Sequence, residues 1–307
     1  MNRNRAYIRY TQAVIISVFL VILAGGIVRT TQSGMGCPDW PRCFGRWIPP
    51  VNAGQLPPDY EKYLSAQDID HTFNAWHTWI EWINRLCTGL LGLLIIGYVC
   101  WSYKKFYRLR PAIFWLSVSM LAITGMEAWL GKLVVNSNLG IFKITGHMLL
   151  ALALAAIPVR ILALLDKRQK IRKRSLKWIS AAAMILLLIQ VILGTDVRQQ
   201  IDQVSKSLDY THRELWISRL NVVFDIHRSF SWIVALACGF LYWKVSQLKG
   251  SGILKRPATA GLVLVVLLMA LGMVMAFCNV PAWVQPLHLL CSSMLVMVLF
   301  SFRLRLS

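Results

Sequence analysis

Eight apolar runs set the rhythm of this chain, at roughly residues 9–29, 78–102, 112–135, 140–165, 176–197, 222–245, 258–279 and 282–302. Each is long enough for a helix to cross a hydrocarbon core, which takes ~20 apolar residues. The polar segments between them are short with one exception: residues 30–76 form the only long soluble stretch. The seventh and eighth runs lie so close that a turn around Asn279, Val280 and Pro281 must join them. The pattern predicts an all-α polytopic membrane protein of eight transmembrane helices.

Composition agrees, and charge adds orientation. Hydrophobic residues make up 57% of the chain and charged residues 15%, against about 25% charged in a typical soluble domain. A net charge of +20 raises nucleic acid as a partner, but the placement of the charges argues against it. Lys and Arg gather at Arg3, Arg5 and Arg9; at Lys104, Lys105, Arg108 and Arg110; between Lys167 and Lys177; between Lys244 and Arg256; and at Arg303 and Arg305. Those groups hold 20 of the 33 basic residues. With eight crossings all of them fall on one side, and positive-inside bias then puts both termini in the cytoplasm. Residues 167–177 read as a cytoplasmic connector resting on anionic lipid. The first apolar run is too long for a cleavable signal and lacks an A-x-A site, so it is expected to stay as a helix. The expected location is the cell (inner or plasma) membrane, with lipid and not nucleic acid as the macroscopic partner.

The long loop then lies outside, in an oxidising compartment where Cys37 and Cys43 can hold a disulfide. Free or metal-binding thiols are the alternative, although zinc usually needs two further ligands and none is near in sequence. The other five cysteines fall in spans and read as small packing residues.

Self-similarity changes the picture further. Cut at the basic connector, the chain yields halves 1–166 and 178–307, each with four spans. "GGIVRT" closes the first span and "LGTDVRQ" the fifth, aligning Arg29 with Arg198. "EWINR" in the second span aligns with "FDIHR" in the sixth, which sets Asn84 over His227 and Arg85 over Arg228. Gly131 pairs with Gly272, and His147 with His288. The pattern predicts two pseudo-symmetric four-helix bundles.

Three of the six histidines, His147, His227 and His288, fall inside spans at these related positions. Each lies five to eight residues below the outer boundary, or ~8–12 Å at 1.5 Å per residue. An imidazole at such depth is costly and tends to mark function, with a hydrogen-bonded core histidine as the plain alternative. Two imidazoles recurring at one depth on two helices of a bundle match how bundles build cofactor sites, and favour a haem iron held between His227 and His288. Arg198 and Arg228 would meet its propionates at the rim. The first half differs: Asn84 is a poor iron ligand, so His147 can hold an iron from one face only. That asymmetry predicts one haem kept as a redox cofactor and another bound loosely enough to be worked on. Glu81 lies one turn before Asn84 on the same helix face. It reads as a proton acceptor or charge stabiliser beside the first-half haem, or as a partner of Arg85 or Arg29. Glu127 and Lys132, five residues apart, receive no role. His71 and His212 read as solvated loop residues, and His77 lies too far from Asn84 to replace a ligand there.

The residues "GGIVRTTQSGMGCPDWPRCFG", "EWINR", His147, "HRS" at His227 and His288 together resemble the haem A synthase family over nearly the whole chain. The resemblance implies haem b as a cofactor held by the second-half histidines, haem O as substrate in the first half, and a chemical role for Glu81. The implied reaction oxidises a ring methyl of haem O to a formyl group by successive hydroxylations, giving haem A for cytochrome oxidase. It further implies a membrane electron acceptor such as a quinone, with a haem O synthase and oxidase assembly factors as partners. Asn84 departs from the family's Glu-x-x-His-Arg pattern. Other readings are a bis-His cytochrome b delivering electrons to quinone, which would want a fourth histidine, and a haem-handling transporter or chaperone, which would not need Glu81.

Overall fold

The computed structural model describes residues 4–61, 72–136, 141–166, 168, 170–250 and 252–307, without the side chains of 132, 134–136 and 141–143. His71 and the side chain of Lys132 therefore lie outside the described residues. Eight helices long and apolar enough to cross a membrane are present among them: α1 (Arg5–Thr30), α2 (Ala75–Phe106), α3 (Pro111–Asn136), α4 (Ile141–Leu165), α5 (Arg174–Ser207), α6 (Val222–Ser246), α7 (Gly252–Phe277) and α8 (Val284–Leu304). Their surfaces are apolar on the outside too. Leu20, Leu90, Leu93, Trp115, Leu236, Val263 and Val266 are all more than half exposed, as expected where hydrocarbon and not water is the solvent. The protein is a multi-pass helical membrane protein.

The boundaries follow local chemistry. Asn74 caps α2, its Oδ1 accepting from the backbone N–H of Trp76 at 3.0 Å and of His77 at 3.3 Å. Asn221 does the same for α6, accepting from Val223 N–H at 2.8 Å. Such caps satisfy donors that the first helical turn leaves orphaned. One boundary departs from expectation. The fifth apolar run ends near residue 197, and 198–221 read as loop, yet α5 continues to Ser207. Hydropathy falls there, but apolar residues keep recurring at helical spacing. Val197, Ile201, Val204 and Leu208 pack with Trp216, Ile217, Leu220, Val223, Phe224 and Val280, and Arg198 bridges Asp202 one turn on at 2.9 Å. The helix leaves the membrane and goes on because it has a second, smaller core to bury.

The chain forms two compact units, residues 16–154 and residues 1–15 with 155–307. In the second, the helices close a ring: α5 packs on α6 and α8, and α7 on α6 and α8. Its basic end is fastened by the C-terminal tail. Ile171 bridges to Leu306, with Ile171 N–H donating to Arg305 O at 3.0 Å. Pro257 within α7 lacks an N–H, which leaves the carbonyl of Ile253 without its helical partner; the Arg305 guanidinium donates to that carbonyl. In the unit of residues 16–154, α2 packs on α3 and against a 3-10 turn at Ser33–Met35 that opens the long loop.

Candidate functional site

The closed ring of four helices assembles a pair of imidazoles. His227 projects from α6, and a Cβ added to Gly194 on α5 would lie 3.0 Å from its Cε1 and 3.6 Å from its Nδ1. His288 projects from α8, and a Cβ on Gly272 of α7 would lie 3.8 Å from its Cε1. Two helices thus supply imidazoles and the other two supply glycines that make room for them. The Nδ1 of each ring is buried without a hydrogen-bond partner. Gln190, one turn before Gly194, donates its Nε2 to the His227 carbonyl at 3.0 Å, while its own Oε1 is buried and unpartnered.

These residues fit a haem. Orphaned polar atoms at buried positions each cost about 1–3 kcal/mol, so both rings carry hydrogen-bonding or ligating capacity that the protein itself leaves unmet. Among the described residues no group of three or more His, Cys, Asp or Glu gathers around one point, so a bare ion has no protein cage. A porphyrin brings its own equatorial nitrogens and asks the protein only for axial ligands such as imidazole. Beyond Gly194 on α5, Arg198 is paired with Asp202. Arg228 donates to Asp225 at 3.0 Å with both side chains largely exposed. An exposed pair like that of Arg228 and Asp225 is worth little, so the Arg228 guanidinium can be recruited by another anion.

The unit of residues 16–154 shows a different construction. Cys37 and Cys43 form a disulfide, and with Phe44 they make a small core under Leu56, Tyr60, Phe73 and Trp82. Asp39 holds the turn, accepting from Phe44 N–H at 2.6 Å and Gly45 N–H at 2.9 Å. This loop is clamped onto α2. Glu81, 3% exposed, accepts from Cys37 N–H at 2.7 Å through Oε2. Its Oε1 takes Arg85 Nε at 3.0 Å and also Arg85 Nη2. Arg85 in turn donates to the carbonyls of Cys37, Asp39 and Arg42. Thr78 Oγ1 donates to Gly36 O at 2.9 Å. The indoles of Trp79 and Trp82 donate to Pro50 O and Trp47 O. Of the two partners weighed for Glu81, the structure brings up Arg85. Arg29 stands half-buried in the last turn of α1 and is engaged within the structure.

Deeper in this unit Asn84 Oδ1 is buried without a partner. His147 on α4 has its Nδ1 2.7 Å from Oε2 of Glu127 on α3, with the ring N–H not aimed for a hydrogen bond. Glu127, left without a role by sequence reasoning, is thus the first-half histidine's neighbour. The signal was available: Glu127 sits one turn before Gly131, the counterpart of the glycine against His288. On the connection between α5 and α6, His212 Nδ1 lies 3.2 Å from Glu214 Oε1, both exposed. The Glu214 carboxyl is held below its ordinary value by its own backbone N–H and then by His212.

The fold and site define a multi-pass helical membrane protein with paired imidazoles inside one four-helix ring and a disulfide-stapled loop fastened to a second unit. Comparison with known proteins narrows this. The chain belongs to the cytochrome oxidase assembly protein family (COX15-CtaA), whose model matches residues 8–300. It is similar to the heme A synthase of Sphingopyxis alaskensis, 25% identical over 96% of this chain and 90% of that one. The heme A synthase of Flavobacterium psychrophilum is 23% identical over 94% of each. That of Shewanella oneidensis is 30% identical over 59% of this chain and 53% of its own length.

Proposed function

We propose that this protein is an oxidoreductase that converts haem O to haem A, taking a ring methyl to a formyl group through successive hydroxylations and loss of water. The observation that carries the reading is the asymmetry of the two units: imidazoles on two helices of one, His227 and His288, against a single imidazole within a span of the other, His147, with Asn84 at the fourth station. A cytochrome carrying two permanent haems would want four histidines, so Asn84 speaks against it. Family membership along nearly the whole chain supports the enzymatic reading.

In this assignment His227 and His288 hold haem b, with Arg198 and Arg228 at its propionates. Haem b, when bound, supplies one-electron redox chemistry that passes electrons from the substrate side to a membrane acceptor such as a quinone. His147 binds the iron of the substrate haem O from one face. Asn84 offers its unpartnered Oδ1 as a hydrogen-bond acceptor on the α2 side. Arg29 and Arg85 supply positive charge near the mouth, and Glu81 acts as a charge stabiliser or proton acceptor beside the substrate. The disulfide loop excludes water by covering that mouth while Glu81 and Arg85 hold it down. Both termini lie in the cytoplasm and the haem sites face outward, consistent with the basic end that joins residue 171 to the C-terminal tail. A haem O synthase upstream and oxidase assembly factors downstream are the proposed partners.

The test is pigment extraction from purified protein supplied with haem O. Formylated haem should accumulate. A low-spin bis-imidazole signal should disappear in His227→Ala and His288→Ala and survive in His147→Ala. Haem O recovered unchanged from protein that retains that signal would overturn the enzymatic reading.

A further inference from the structure

We propose that Glu127 is a positioning residue for the substrate haem: it orients the imidazole of His147 and strengthens its bond to iron. The inference rests on the reading of His147 as the substrate ligand and deepens it.

Three observations point the same way. Glu127 is a carboxylate 9% exposed inside a membrane span, where an unpaired charge is expensive and needs a reason. It falls on the inward stripe of α3, with Ile113, Ser117, Met120 and Thr124 all buried at helical spacing before it. One of its oxygens stands 2.7 Å from His147 Nδ1, while the other is buried without a partner. The repeat sharpens the point. Glu127, Gly131 and His147 each precede their counterparts Leu268, Gly272 and His288 by 141 residues. At the second-half position a buried leucine does the same packing, so packing alone does not call for a carboxylate. The carboxylate appears in the half whose second ligand position is Asn84 and not another imidazole.

The physical reason follows from single-sided ligation. Where two imidazoles share an iron, each ring is held by the metal and by its partner across it. A lone imidazole must be held from behind. A carboxylate accepting from the ring's far N–H fixes the tautomer, stops ring rotation and makes the ligating nitrogen more basic. His147 Nδ1 and Glu127 Oε2 already stand at hydrogen-bonding distance, so only the direction of the N–H has to change. Among the described residues the Nδ1 atoms of His227 and His288 have no hydrogen-bond partner.

The experiment uses full-length protein in nanodiscs, loaded with haem b, to which haem O is added. Two readouts are taken on Glu127→Gln and Glu127→Asp: the affinity for haem O, and the iron–histidine stretching band of the ferrous haem O complex by resonance Raman. Glu127→Gln should weaken haem O binding by ~10–100-fold, the usual effect of losing an outer-shell partner, and move the band to lower frequency. Glu127→Asp, with shorter reach, should move both in the same direction by less, and it carries the test should Gln not fold. The low-spin His227/His288 signal should stay unchanged in both. Wild-type affinity and band position in the variants would overturn the proposal. A His147→Ala control separates the two ideas. If it binds haem O as wild type does, the substrate-site reading fails. If it loses binding while the Glu127 variants do not, only the role of Glu127 fails.

Discussion

Replacing Glu81 with glutamine tests the clamp between the stapled loop and α2. The carboxylate meets three donors, Cys37 N–H on one oxygen and Arg85 Nε and Nη2 on the other. A glutamine has one acceptor oxygen and an NH₂ that is itself a donor. Whichever way the amide turns, its NH₂ faces either Cys37 N–H or the guanidinium, and that contact is lost. Removing one partner of a buried ion pair costs about 3–5 kcal/mol. Arg85 keeps its bonds to the carbonyls of Cys37, Asp39 and Arg42, so we take about 2–3 kcal/mol for opening of the loop. At 1.4 kcal/mol per tenfold, that raises the open population by roughly 30–150-fold. Hydrogen exchange of peptides covering residues 33–47, followed by mass spectrometry in nanodiscs, reads this directly. The Cys37 amide should exchange faster by that factor in Glu81→Gln, while peptides from α6 and α8 keep their protection. Unchanged exchange at Cys37 would show that Glu81 does not hold the loop. In that case any loss of haem O conversion in the variant would belong to its chemical role alone.

Further outcomes follow from close contacts. Gly194→Ala places a methyl 3.0 Å from the His227 ring, whereas Gly272→Ala places one at an ordinary 3.8 Å from His288. The first should lower haem b content in purified protein, measured as pyridine haemochrome, and the second should leave it near wild type; equal effects would contradict the geometry. Gly36→Ala would set a Cβ 2.3 Å from the backbone carbonyl of His77, which no side-chain motion can relieve. It should cost more than the 1–3 kcal/mol of ordinary overpacking and open residues 33–47 to exchange as Glu81→Gln does. On the α5 extension, Ile201→Ala removes a buried side chain worth ~2–5 kcal/mol. Thermal unfolding should therefore shift clearly for Ile201→Ala, and an unchanged midpoint would show that the second core does not hold the extension.

The sequence by itself determined the eight spans, the Cys37–Cys43 bridge as the favoured reading, and the placing of His147, His227 and His288 within spans. Hydropathy is a local sum, and helical spans satisfy their backbone bonds within themselves, so each could be read one window at a time. The same locality misled at α5, where a helix leaving the membrane keeps its period but loses its hydropathy. Aligning the two halves of the sequence set Asn84 over His227 without any coordinates. What only the tertiary structure decided were the partners. Glu81 meets Arg85 and Cys37 N–H because the loop folds back over 44 residues of chain, a closure that no periodicity encodes. Glu127 reaches His147 across two helices, and Gly194 and Gly272 become seats for imidazoles because helix packing sets which faces meet. Side-chain chemistry was legible position by position; which groups came within bonding reach depended on distances set by the packing of whole helices.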